Sequence, residues 1–246
     1  MNLRIATSSL LSALSLLGTS ASAGDQPAAD KPVKAVIELF TSQGCSSCPP
    51  ADAVLKTYAK DPDVIALSLP VDYWDYLGWK DTFANHANSE RQRSYAKVRG
   101  DGAVYTPQAV VNGMAHVNGS SKSSIEGAID LTSKAIQHVP VRFWQDRNTL
   151  NVAIGAGTAS RDATVWLGVV QTSGTVDIKR GENSGSTIEY TNIVRDLSPI
   201  GLWKGDALNI QIPRGAVLAQ NVQKCVVIVQ EGRTGPILAA ASTNLF

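Results

Sequence analysis

No stretch of this sequence reaches the roughly 20 consecutive apolar residues that a helix needs to cross a bilayer. The nearest approach, Ile5 to Gly18, is broken by serine and threonine, preceded by Arg4 and followed by Ala21-Ser22-Ala23. A charged start, a short apolar middle and a small-residue cleavage site read as a secretion signal, so residues 1–23 are set apart from the fold. No stable membrane span is expected after cleavage, and the destination is the periplasm or the exterior. An excess of charge is also missing: 22 Lys and Arg face 21 Asp and Glu, without a basic cluster or interleaved aromatics, so nucleic acid is not an expected partner. Histidine is scarce, with only His86, His116 and His138, none in paired spacing; a tetrahedral zinc site lacks its four donors, and no metal or cofactor is called for. Cysteine is scarce as well. Cys45, Cys48 and Cys225 cannot all pair within one chain, although an oxidising compartment would let a disulfide persist.

What is present falls into two differently written halves. Residues 33–138 alternate apolar runs with helical patterns, which predicts a mixed sheet with flanking helices. "VKAVIELF" (33–40) and "DVIALSLPV" (63–71) read as buried strands, and a strand-helix-strand unit makes them parallel. Between them Ala51, Val54, Leu55, Tyr58 and Ala59 recur at helical spacing before Asp61-Pro62 ends the helix. "RQRSYAKV" (91–98) predicts a short helix, "QAVVNGMAHV" (108–117) a hairpin around Asn112-Gly113, and Ser123 with Glu126 a capping box opening a helix to about Gln137. Residues 139–246 carry short runs such as "ATVWLGVVQT" and "KCVVIVQ" separated by turn residues, the pattern of an all-β, sandwich-like half.

The chemistry concentrates in "FTSQGCSSCPP" (40–50). Two cysteines three apart at a strand-to-helix junction meet unsatisfied N–H groups and a positive helix dipole, which favour thiolate over thiol. Cys45 is therefore the candidate nucleophile and Cys48 the resolving thiol. Pro49 and Pro50 suit a first helical turn. A structural disulfide is the second reading, weakened because so small a loop constrains little of the unfolded chain. Half of a metal site is the third.

This arrangement resembles thioredoxin-like proteins. The order strand, C-x-x-C, helix, strand, helix, Thr106-Pro107, hairpin, helix covers residues 33–137. The resemblance implies a cis-proline loop at Thr106 and Pro107 that lies against the cysteines and binds the backbone of an incoming substrate. It also keeps a copper-carrier alternative open, with two cysteines and either His86 or His116 as ligands. The longer strings "ELFTSQGCSSCPPAD", "VDYWDYLGWKD", "VYTPQAVVNG" and "RGENSGSTIEYTNIVR" resemble the DUF1223 family, secreted thioredoxin-like proteins of bacteria. Members of that family commonly carry histidine just before "VDYWD", where this chain has Pro70.

"VDYWDYLGWKD" (71–81) holds two tryptophans, two tyrosines and three aspartates in eleven residues, at the sheet edge where the C-x-x-C helix begins. It reads either as a cleft wall, with Asp72 and Asp75 modulating the thiols and Trp74 and Trp79 contacting a peptide, or as an aromatic mini-core. "KRGENSGSTIEY" (179–190) either reaches over the cleft with Arg180 and Glu182 or is a structured turn. Cys225 reads as a small buried hydrophobe. Two functions follow: a thiol-disulfide oxidoreductase acting on protein or peptide thiols and disulfides, or a binding module or copper carrier in which the cysteine pair is structural or a ligand.

Overall fold

The computed structural model describes residues 33–137, 139–217 and 221–245, so the secretion-signal reading of residues 1–23 and His138 lie outside the described residues. The chain begins with β1 (Ala35–Thr41), α1 (Pro49–Tyr58), β2 (Val64–Pro70), α2 (His86–Arg99), β3 (Gln108–Val111), β4 (Ala115–Asn118) and α3 (Lys122–Thr132). It continues with β5 (Val141–Gln145), β6 (Thr149–Ile154), β7 (Ala163–Asp177), β8 (Thr187–Trp203), β9 (Leu208–Pro213), α4 (Arg214–Val217), β10 (Lys224–Glu231) and β11 (Ile237–Asn244). Among the described residues no helix is long and apolar enough to cross a membrane.

β1 and β2 are parallel in register Ala35 to Val64, as their crossover helix requires, and β3 and β4 form the hairpin around Asn112-Gly113. Asn112 adopts φ 53° and Gly113 φ 69°, a left-handed pair within the three-residue loop that separates Val111 from its partner Ala115. Gly113 also passes so near the Gly235 carbonyl that a Cβ there would lie 2.2 Å from its oxygen. The helix expected over 91–98 begins earlier, at His86, where Asn85 caps it by accepting the Ala87 N–H at 3.0 Å. The last helix is capped by Ser121, which accepts the Ser124 N–H at 3.3 Å, and not by a Ser123–Glu126 box; it ends at Thr132.

The expected separation of an α/β half from an all-β half needs correction, because one eight-stranded mixed sheet runs through both, in the order β11-β10-β7-β8-β2-β1-β3-β4. The long β8 lies antiparallel to β7 and reaches β2 in parallel at Ser68 and Ile193. Asn192, at φ 49°, reinforces that seam by donating to the Ala66 carbonyl at 2.9 Å. A second, three-stranded sheet, β5-β6-β9, packs Val152, Ile154 and Ile212 against Val165, Val227 and Ala239 of the large one.

Alternation along the strands sorts the large sheet's two faces. In β1, Ala35, Ile37 and Leu39 meet α1 and α3, while Val36 and Phe40 meet Tyr95 of α2. Glu38 therefore also points towards α2, fully buried, and Arg91 meets it there. The Arg91 Nε–H donates to Oε1 at 2.6 Å and Nη2 donates to Oε2 at 3.1 Å. Nη2 also reaches Gln230 Oε1 of β10 at 3.0 Å, and the Tyr95 hydroxyl donates to Glu38. The guanidinium lies 5.1 Å from the Trp166 ring centre. Breaking a buried pair leaves an uncompensated charge, so Arg91→Met is expected to cost about 3–5 kcal/mol in urea denaturation. Adding Glu38→Gln to it should recover part of that loss.

Candidate functional site

β1 ends at Thr41, and the chain turns through Ser42, whose hydroxyl accepts the Gly44 N–H at 3.0 Å and whose carbonyl accepts the Cys45 N–H at 3.2 Å. Cys45 and Cys48 follow as a disulfide, with Cα atoms 5.4 Å apart, and Cys48 is the N-cap of α1. Cys45 is 3 % exposed and Cys48 is fully buried, whereas Ser46 and Ser47 between them are exposed. The supply of free N–H donors at this helix start is thinner than the sequence suggested. Pro49 and Pro50 have none, and the Ala51 and Asp52 N–H groups both bond to the Cys48 carbonyl. What remains to favour a thiolate at Cys45 is the helix dipole and the Ser47 hydroxyl, 3.4 Å from its sulfur.

Gln43 fastens this turn to the aromatic loop. Its N–H donates to Asp81 Oδ2 at 2.8 Å, and its Oε1 accepts the Trp79 indole N–H at 2.8 Å and the Thr82 N–H at 3.2 Å. Trp79 is thus a packing residue whose polar atom faces inward. Trp74 bridges differently. Its indole N–H donates to Thr106 Oγ1 at 2.7 Å, and its Cβ would stand 3.0 Å from a Cβ at Gly44. One side chain therefore links the cysteine turn to the Thr106–Pro107 loop, whose peptide bond is cis. Pro107 also lies beside Ala51 of α1, both packing on Gly119. Tyr76, 77 % exposed, stacks on Trp74 with ring centres 6.4 Å apart.

Asp72 and Asp75 are engaged elsewhere. Asp72 accepts from the Ser89 hydroxyl at 2.5 Å and pairs with His86 Nδ1 at 2.7 Å, both from the start of α2. Burial pushes its carboxyl up, but the Ser89 and His86 hydrogen bonds outweigh that and hold it below the usual carboxylate range. Asp75 accepts the Asp81 N–H at 3.1 Å and shapes the loop. His116 lies between the Tyr105 hydroxyl and Asp101. Among the described residues no group of three His, Cys, Asp or Glu side chains is placed to hold a metal ion. Cys225 is fully buried in β10, and burial pushes its thiol up to about 12.

The segment between β7 and β8 crosses onto the cysteine turn. Asn183 donates from one amide nitrogen to the Gln43 and Cys45 carbonyls, each at 2.9 Å, and Glu182 accepts the Ser46 N–H at 3.3 Å. Glu182 was legible in the sequence as a residue that could reach over; Asn183, which makes the buried contacts, was not. Arg180 stays at the surface.

The chain belongs to the DUF1223 family. The model described as "Protein of unknown function (DUF1223)" matches residues 36–230. The crystal structure of protein AGR_C_4864 from Agrobacterium tumefaciens is similar, with 35 % identity and a TM-score of 0.77 over 87 % of this chain and 95 % of that one. HBP35 of Porphyromonas gingivalis shares the fold alone, at 10 % identity and a TM-score of 0.52, covering 87 % of this chain and 76 % of that one. No curated protein matches.

Around the cysteine turn this DUF1223 chain buries two further carboxyls that the sequence reading did not single out. Asp81 accepts the Gln43, Phe83 and Ala84 N–H groups, yet burial leaves it above its ordinary range. Asp52, on the inner face of α1 and 4 % exposed, accepts the Thr41 hydroxyl at 3.1 Å. Burial first, opposed by that hydrogen bond and reinforced by the charge of Asp81, pushes Asp52 well above its ordinary range. A carboxyl whose folded value is raised adds stability only at low pH and loses it as pH climbs from the unfolded value of about 3.9 through the folded one. The stability of Asp52→Asn relative to the parent should therefore rise from pH 4 to pH 8 in urea denaturation. Asn183→Ala, which orphans the buried Gln43 carbonyl and leaves the Cys45 carbonyl only the Cys48 N–H, should cost about 1–3 kcal/mol. It should also speed reduction of Cys45–Cys48 by a fixed concentration of dithiothreitol.

Proposed function

We propose that this protein is an extracytoplasmic thiol-disulfide exchange protein that acts through Cys45 and Cys48 on peptide or protein thiols, with a thioredoxin-like arrangement around the pair. The observation that carries this reading is the seating of the disulfide at the β1-to-α1 turn, with the Thr106–Pro107 loop tied to it through Trp74. The parallel β1 and β2 and the antiparallel β3 support the same arrangement. The Ala21-Ser22-Ala23 pattern and a disulfide that persists only under oxidising conditions support the compartment.

In this reading a substrate thiolate attacks Cys45 Sγ, the sulfur beside the exposed Ser46–Ser47 segment. The Cys45–Cys48 bond breaks and its electron pair leaves on Cys48 Sγ. A second substrate thiol, giving up its proton, then displaces Cys45 from the mixed disulfide, so the substrate leaves oxidised and the protein keeps two reduced sulfurs. The same steps in reverse reduce a substrate disulfide. Trp74 and Tyr76 supply an aromatic platform beside the turn, and Thr106 with Pro107 supplies backbone for an extended peptide.

The near-complete burial of both sulfurs favours a second reading, a binding module whose disulfide is structural. Reduction potential separates the two, since structural disulfides fall below about −300 mV and exchange proteins lie above that. The decisive experiment expresses Cys48→Ser with its own leader and identifies proteins disulfide-linked to Cys45. Capture above a Cys45→Ser Cys48→Ser control is expected; an empty capture with a potential below that range sinks the exchange reading.

A further inference from the structure

On the side of the large sheet covered by α2, a cavity of about 590 Å³ opens between that helix, β7, β8 and the β10–β11 turn. That size suits a small-molecule ligand. Ala87, Arg91, Ser94 and Val98 line it at helical spacing, so one wall follows α2 for about 16 Å by the rise of the helix. Leu197 and Pro199 of β8 add apolar surface, and Val98 is 58 % exposed. Trp166 of β7, only 6 % exposed, also lines the cavity, and its indole N–H is buried without a protein partner. A buried donor of this kind costs about 1–3 kcal/mol, which native structures retain only for a reason. Arg233 of the turn holds its guanidinium 5.0 Å from the centre of that indole. The turn itself is fixed, with the Gly235 N–H donating to the Glu231 carbonyl at 3.0 Å and Arg91 Nη1 to the Arg233 carbonyl at 3.4 Å.

We propose that this cavity binds a free fatty acid of medium length, a carboxylate head on an unbranched alkyl chain. The head accepts the Trp166 N–H on one oxygen and the Arg233 guanidinium on the other, and the chain lies along α2 over Val98, Leu197 and Pro199. Charge selects the head. Of the charged groups around the cavity, Arg91 is committed to Glu38, and Glu90 is engaged by Arg93 and by His86 at 3.6 Å. Lys97 and Arg233, which also line it, have no carboxylate within ion-pair distance among the described residues. An anion therefore meets two cations that the fold leaves uncompensated. The sheet excludes a peptide here, because Trp166 is paired on both sides, with Ile228 and Pro199, and proline brings no N–H. A strand cannot add at such a place, whereas an alkyl chain asks only for apolar surface. The site is independent of the exchange reading: no described lining residue comes from the cysteine turn, the aromatic loop or the Thr106–Pro107 loop.

The test titrates the full chain with sodium decanoate, followed by calorimetry and by the proton–nitrogen correlation signals of the five tryptophan indoles. Saturable binding is expected, together with a downfield shift of the Trp166 indole proton, which a hydrogen bond to an anion produces. Decanol, equal in chain but uncharged, should bind at least about tenfold more weakly, because it lacks the charge-assisted bond to Arg233. Acetate, the head without the chain, should give no measurable heat at the same concentration. Arg233→Gln removes the cation and Val98→Glu sets a like charge beside the chain, both at exposed positions. Each should weaken decanoate at least about tenfold, with an unchanged circular dichroism spectrum showing that the fold is kept. No saturable binding of decanoate, an unmoved Trp166 signal or equal affinity for decanol overturns the proposal. Undiminished binding in either variant does the same. Binding to phosphatidylglycerol vesicles without binding of free decanoate overturns it in favour of a membrane surface.

Discussion

The alignment of this site depends on Gln43, which has no exposed surface and whose backbone and side-chain polar atoms are all committed. Two residues before Cys45, it receives or gives hydrogen bonds to Asp81, Trp79, Thr82 and Asn183, from segments about 40 and 140 positions away in the chain. A buried amide that is fully satisfied fixes direction as well as position, because moving it by an ångström would orphan several partners at once. The cysteine turn therefore takes its place from three segments held in common and owes little to the start of α1, where prolines have removed the donors.

Much of the frame was readable because burial on both faces writes itself as continuous apolar character, as in β1 and β2, and because Asn112-Gly113 has a backbone requirement that few other pairs meet. The parallel pairing followed from chain polarity alone. α2 was harder. Its buried face holds Asn88, Ser89, Arg91 and Gln92 beside Tyr95 and Ala96, so apolar periodicity marked only its second half. That underestimate carried over to Asp72. Strand polarity put the residue at the edge where ligands bind, but the unrecognised first turn of α2 delivers His86 and Ser89 to its carboxylate.

Asp52 and Asn183 were hidden for opposite reasons. Asp52 occupies a helix position that, read alone, belongs to a solvated face, and only the arrival of β8 encloses it. Asn183 sits in a Gly, Asn and Ser-rich stretch whose composition announces a turn and says nothing of what the turn touches. The continuous sheet was hidden in the same way, since period-two alternation identifies a strand and leaves its neighbour unnamed. Partnership across more than 100 residues, as between β2 and β8, is decided by packing.

That seam has a consequence for how the chain can be divided. β2 joins β8 by pairing at Ser68 and by the Asn192 amide on Ala66, so residues 33–137 expressed alone would present β2 as an open edge flanked by apolar side chains. Exposed edges of that kind recruit other chains. The β-rich remainder thus works as an edge guard for the strand that leads into the aromatic loop. In a family with this sheet order, insertions should be tolerated at the far margin near β11 and strongly resisted between Ile188 and Val194.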